Sequence, residues 1–67
     1  MIALTVNGDV EEFEEAPTIE GLLERLHVPA GAVAVEVNHV IVPRSAHGAW
    51  RLGAGDNVEV LTFVGGG

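Results

Sequence analysis

Apolar and polar positions alternate from the first residues of the chain. Ile2, Leu4 and Val6 fall on one side of an extended segment, with Ala3 and Thr5 on the other. This is the period-two pattern of a strand with one buried face. Asn7-Gly8-Asp9 follows. Asn and Gly both accept positive φ, so this segment reads as a tight hairpin turn. Val10 to Glu14 is then the returning strand. Its Glu11, Glu12 and Glu14 suit an exposed sheet edge, where charge opposes edge-to-edge pairing.

The period changes after Ala16-Pro17. Thr18 is the expected helix N-cap, its hydroxyl placed to accept from an unpaired backbone N–H. Ile19, Leu22, Leu23 and Leu26 recur at i, i+3, i+4 and i+7, the apolar stripe of an amphipathic helix. Glu20 near its start, and Arg25 and His27 near its end, complement the helix dipole. Gly21 weakens the first turn by about 1 kcal/mol relative to Ala, and leaves room for a strand to come close. Pro29 and Gly31 end the helix.

Val33, Val35 and Val37 alternate with Ala34 and Glu36 in a third strand. Asn38-His39 is a turn, and Val40 to Val42 a short fourth strand stopped by Pro43. Arg44 to Gly55 reads as irregular, anchored by Trp50 and Leu52, with a second turn at Gly53-Ala54-Gly55-Asp56. Val58 to Val64 is the last strand. If Val58 and Val60 face the helix, then Glu59, Leu61 and Phe63 face away from it.

The order is therefore ββαβ(β)β. The single helix has to cover one face of a mixed sheet, because it alone carries a matching apolar stripe. The expected fold is α+β, a ubiquitin-like β-grasp: a mixed four- to five-stranded sheet with one helix packed on one face. The expected organisation is one β-grasp domain over 1–64 and a flexible C-terminal glycine tail over 65–67.

Composition then narrows the function. At 67 residues a chain buries only about 60% of the surface it exposes unfolded. With no Cys, no disulfide framework supports that small core, and no thiolate is present to act as nucleophile or zinc ligand. The 48% apolar content has to hold the fold, and it is too high for a disordered acidic tail. No apolar run approaches the roughly 18 residues of a bilayer span. No basic segment precedes the first strand, so no secretory signal is read, and a cytoplasmic location without membrane partners is expected. A net charge of −7 argues against nucleic acid, whose phosphates call for Lys and Arg. It favours a partner with a basic docking surface. A chain this small does not enclose a substrate pocket, so a carrier or binding module is expected rather than an enzyme. His27, His39 and His47 are spaced by 12 and 8, outside zinc-ligand spacing, so no metal site is expected. Arg44 suits a carboxylate or carbonyl partner better than a nucleotide.

Gly65-Gly66-Gly67 carries the candidate chemistry. Without Cβ atoms a glycine tail enters narrow channels and leaves its terminal carbonyl open to attack. A carboxylate is a poor electrophile, so Gly67 has to be activated first. Adenylation by ATP, with loss of pyrophosphate, gives a mixed anhydride with AMP as leaving group. A sulfur nucleophile then yields a thiocarboxylate, and an amine an isopeptide bond.

Over its whole length the chain resembles the thiamine-biosynthesis sulfur carrier proteins (ThiS). The resemblance rests on Val6-Asn7-Gly8, Leu22-Leu23, Val35-Glu36-Val37-Asn38, Val42-Pro43-Arg44, Leu52 with Gly55-Asp56, and Phe63-Val64-Gly65-Gly66-Gly67. Many members end in two glycines, where this chain has three. The resemblance implies a ubiquitin-activating-like adenylating enzyme (ThiF-like) that joins AMP to Gly67, using ATP that the carrier itself does not bind. It implies a cysteine desulfurase-type source that supplies persulfide sulfur. It also implies a thiazole synthase (ThiG-like) that takes sulfur from the Gly67 thiocarboxylate, with Gly65 and Gly66 threading the partner channels. No resident cofactor belongs to such a carrier.

Fold, tail and chemistry also fit the small subunit of a molybdopterin synthase. A ubiquitin-like protein modifier, and a β-grasp interaction domain with an inert tail, are further readings. The expected partner interface is Leu61, Phe63 and Val64 with Ala34 beside them, joined by Glu36 and Glu59. Its alternative is that Leu61 and Phe63 pack against the Arg44–Trp50 segment. Asp9, Glu11, Glu12 and Glu14 are read chiefly as solubilising charge.

Overall fold

Both predicted hairpin turns have positive φ at each central residue: 49° and 88° at Asn7 and Gly8, 51° and 70° at Asn38 and His39. This is the type I′ pattern, whose twist matches that of the strands it joins. The computed structural model describes residues 1–29, 31 and 33–62. Its elements are β1 (Ile2–Val6), β2 (Asp9–Phe13), α1 (Ile19–Arg25), β3 (Val33–Val37), β4 (Val40–Val42) and β5 (Asn57–Thr62). The turn sets the register of β2: Val6 lies opposite Asp9 and Ile2 opposite Phe13. The returning strand therefore starts and ends one residue earlier than predicted.

The sheet has the order β2-β1-β5-β3-β4. β1 and β5, which bracket the chain, meet in parallel at its centre, and β3 runs antiparallel to both β4 and β5. This is the expected mixed sheet of a β-grasp. α1 presents Ile19, Leu22 and Leu23 to one sheet face. They form one buried cluster with Leu4, Val6, Phe13, Val35, Val37, Val42, Leu52, Val58 and Val60.

Local chemistry holds α1 at both ends. Thr18 is extended, and its Oγ1 accepts from the Gly21 N–H at 3.1 Å, as predicted for an N-cap. A Cβ on Gly21 would meet only Thr18 Oγ1 at 3.5 Å and Pro17 Cβ at 3.8 Å. The neighbour of Gly21 is thus the cap and not a strand.

The Arg44–Gly55 segment is more ordered than its sequence suggests. A short 3-10 turn spans Arg44–Ala46, and the chain then crosses the start of α1. The carbonyls of Trp50 and His47 accept from the N–H groups of Ile19 and Glu20 at 3.0 and 3.1 Å, two donors that a helix leaves unpaired. Leu52 is buried, as expected, and its N–H donates to the Pro17 carbonyl at 2.8 Å. Trp50 is not a side-chain anchor. It is 39% exposed and holds the segment through its main chain. His47 takes the anchoring role: it is buried, and its Nε2–H donates to the Val42 carbonyl at 3.0 Å. Arg51 adds a side-chain tie to the same region, its Nη1 donating to Ala16 O at 2.6 Å.

At its C-terminus α1 closes in a Schellman motif. The N–H of Val28 donates to Leu23 O at 3.0 Å and that of His27 to Glu24 O at 3.1 Å. The half-buried Val28 packs on the core, completing the motif's apolar contact. Its left-handed position, where glycine is usual, is occupied by His27 at φ 58°. A side chain there is strained by roughly 1–2 kcal/mol. His27→Gly relieves that strain but loosens the unfolded chain. The net gain expected is about 0.5–1 kcal/mol, a thermal midpoint several degrees higher. A midpoint that stays level or drops in calorimetry would show that His27 is not strained.

Candidate functional site

β5 is the strand that leads in sequence into the glycines, so its two faces define the candidate site. Val58 and Val60 are buried against the helix side. Alternation then turns Glu59 and Leu61 outward, and Leu61 is 47% exposed. The Arg44–Trp50 segment does not cover Leu61. Its Ala46 and His47 pack on the helix side of the sheet. Of the two outcomes open to Leu61, the structure takes the exposed one. Phe63, Val64, Gly65, Gly66 and Gly67 lie outside the described residues, and with them the expected tail over 65–67.

Sheet register brings the remaining predicted residues together. Leu61 lies opposite Ala34, and Glu59 opposite Glu36. On its other side Glu36 faces Ile41 of β4. Ile41 is 70% exposed and was not among the expected interface residues. Its signal was the alternation within Val40-Ile41-Val42, but only the β3–β4 register shows that it adjoins Glu36. Leu61, Ala34 and Ile41 thus form an apolar margin around two carboxylates on the uncovered face.

Glu36 and Glu59 are half-buried, and side chains directly opposite across antiparallel strands sit about 4.5–5.5 Å apart at Cβ. Like charges so placed repel. The ion pair seen among the described residues lies on the other side of the sheet, between Arg25 Nη2 and Glu11 Oε1 at 4.0 Å. The same guanidinium sits 4.1 Å above the Phe13 ring, so Glu11 belongs to the rim of the core and is more than solubilising charge. The uncovered face therefore pairs an unneutralised double negative charge with exposed apolar side chains. A protein surface bearing a cation among apolar groups complements it.

Among the described residues there is no pocket. Of the three histidines, His47 lies in the core, while His27 in the helix cap and His39 in a turn are exposed. Asp56 is a turn former, its Oδ2 accepting from the Gly53 N–H at 2.7 Å. No described helix is long and apolar enough to cross a membrane.

A family model described as the ThiS family matches residues 3–67. The chain belongs to the ThiS family. The crystal structure of a thiamine biosynthesis protein (ThiS) from Geobacter metallireducens superimposes with a TM-score of 0.83 at 39% identity, covering 98% of this chain and 100% of that one. The solution structure of a thiamine biosynthesis protein from the same organism gives 0.80, covering 88% of that chain. A thiazole synthase of Paramagnetospirillum magneticum is 41% identical over 64 residues, and one of Magnetococcus marinus 42% over 62. The chain spans 20% and 19% of the length of those two proteins.

The opposed carboxylates make a measurable prediction. Glu59→Gln removes one charge of the pair and keeps the shape of the side chain. It should raise stability by about 0.3 kcal/mol at low salt, and the gain should fade as salt screens the pair. Denaturant unfolding at two salt concentrations measures it. A loss of stability, or a gain indifferent to salt, would contradict the repulsion.

Proposed function

We propose that this ThiS-family chain carries sulfur as a thiocarboxylate on Gly67 and delivers it for thiazole formation. The observation that carries the reading is the placement of β5. The strand is held in the middle of the sheet between β1 and β3, its outer face is open, and its sequence runs on into Val64-Gly65-Gly66-Gly67. With no Cys in the chain, the reading places the acyl chemistry on the Gly67 carboxylate.

The steps follow from the reactivity of that carboxylate. A partner enzyme joins Gly67 to AMP from ATP and releases pyrophosphate. The outer sulfur of a cysteine-derived persulfide attacks the Gly67 carbonyl and displaces AMP, giving an acyl disulfide. A thiol of the partner then attacks the cysteine sulfur of that disulfide, forming a new disulfide and releasing the Gly67 thiocarboxylate. The sulfur then passes to a thiazole synthase, and the carboxylate is regenerated. Gly65 and Gly66 suit passage through narrow channels, because a Cβ at either would widen the tail. Leu61, Ala34 and Ile41 dock on the partners, with Phe63 and Val64 continuing the strand in sequence. Glu36 and Glu59 meet a basic group there, which relieves their mutual repulsion. Two thiazole synthases that contain a region similar to this chain support a thiazole synthase as acceptor. Together with the Geobacter structures they favour thiamine over molybdopterin.

Two measurements test the reading. Protein recovered from its native cells should include a species in which sulfur replaces one oxygen, which alkylates although the chain has no Cys. Deleting Gly66 and Gly67 together should abolish it. In reconstitution with the adenylating enzyme, Leu61→Arg should leave the fold intact and raise KM for the carrier about tenfold or more, the effect of losing one interface anchor. A wild-type chain left unmodified by ATP, a sulfur donor and that enzyme would refute the carrier reading. An unchanged KM for Leu61→Arg would remove Leu61 from the docking face.

A further inference from the structure

The parallel ladder between β1 and β5 outlasts the main chain of β1. Thr5 N–H donates to Asp56 O at 3.0 Å, and Asn7 N–H to Val58 O at 2.9 Å. The next rung belongs to Val60. By then Asn7 has turned into the left-handed region, and its main chain leaves for the hairpin. Its side chain takes over. Asn7 Oδ1 accepts from the Val60 N–H at 2.8 Å, and Asn7 Nδ2 donates to the Val60 carbonyl at 3.2 Å. One carboxamide thus supplies the acceptor and the donor that a further β1 residue would present. Val60 is two residues before Thr62, where the described strand ends.

The opposite end of β5 is held by a residue of the same type and conformation. Asn38 N–H donates to Asn57 O at 2.8 Å. Asn38 Oδ1 accepts from the Asn57 N–H at 2.9 Å, and Asn38 Nδ2 donates to Asp56 Oδ1 at 3.1 Å. Asn7 and Asn38 thus form an internal comparison: one clamps the end of β5 near the tail, the other the end remote from it.

We propose that Asn7 is a positioning residue for the carrier tail. Its carboxamide fixes the direction in which β5 leaves the sheet, whereas that of Asn38 serves folding alone. The proposal rests on the carrier reading given above. Without the Asn7 rung, Val60, Leu61 and Thr62 keep their pairing with Val35, Ala34 and Val33 of β3 but lose their support on the β1 side. A strand held on one edge pivots about that edge. Chemistry at the end of the chain is sensitive to such a pivot, since misplacing a reacting group by 1 Å can cost about a hundredfold in rate. Docking through the sheet face is less sensitive, because it is spread over several strands.

Asn7→Gly and Asn38→Gly keep the positive φ of each turn and remove only the carboxamide. With the adenylating enzyme, at a temperature where both variants are folded, Asn7→Gly should lower kcat about tenfold or more, with KM within about twofold of wild type. Asn38→Gly should leave both within about twofold of wild type. Asn7→Asp adds a signature that loss of stability alone does not give. Its carboxylate still accepts from the Val60 N–H, but its second oxygen then faces the Val60 carbonyl with no proton between them. Protonation restores the donor, so the rate of Asn7→Asp relative to wild type should rise as pH falls. Equal kcat for the two glycine variants, or a flat ratio for Asn7→Asp, would overturn the proposal. Amide exchange on the free protein separates this result from the carrier reading. If wild type is not adenylated, the carrier reading fails. Faster exchange at Leu61 and Thr62 in Asn7→Gly but not in Asn38→Gly would still support the clamp, and unchanged exchange there would refute it.

Discussion

β5 is hydrogen-bonded along both edges, antiparallel to β3 from Val58 to Thr62 and parallel to β1 at Asn57 and Val58. A central strand leaves few peptide groups to water, so each needs a partner inside the protein. That requirement organises the molecule. It draws the first strand of the chain to the middle of the sheet, beside the last. It sends β2 and β4 to the edges. It also brings the Asn7 and Asn38 side chains to the two points where a neighbouring main chain turns away. The apolar side of the same strand, Val58 and Val60, lies at the centre of the core under α1.

The two faces of the sheet then do different work. Burial on the helix side is complete enough to leave Leu4, Ile19, Leu22, Val35, Leu52 and Val58 almost without solvent contact. With no disulfide, this packing has to outweigh several local costs. Asn7, His27, Asn38 and His39 all sit at positive φ, a conformation that residues other than glycine adopt reluctantly. The uncovered side carries the opposed Glu36 and Glu59 at a cost in stability.

The edges show how a small open sheet avoids self-association. β2 lines its edge with Asp9, Glu11 and Glu12. β4 is only three residues long and is followed by Pro43, which has no N–H to offer. Both are ordinary ways of blunting an edge.

The sequence by itself determined which segments are strands and which is the helix. It also determined which side chains of each share a face, and that the chain carries a Gly65-Gly66-Gly67 run and no Cys. These follow from local periodicity, turn residues and composition, which act within a few residues. Leu61 was legible as outward-facing because its parity with Val58 and Val60 is local. Only the tertiary structure decided which strands are neighbours and in what register. That register sets Glu36 against Glu59 and Ile41 beside them. It decided that His47, and not Trp50, fills the core, because the Val42 carbonyl that His47 meets belongs to a separate element. It also joined Asn7 to Val60 across 53 residues of sequence. An isolated Asn-Gly pair announces a turn, but its free carboxamide names no partner until the sheet is assembled around it.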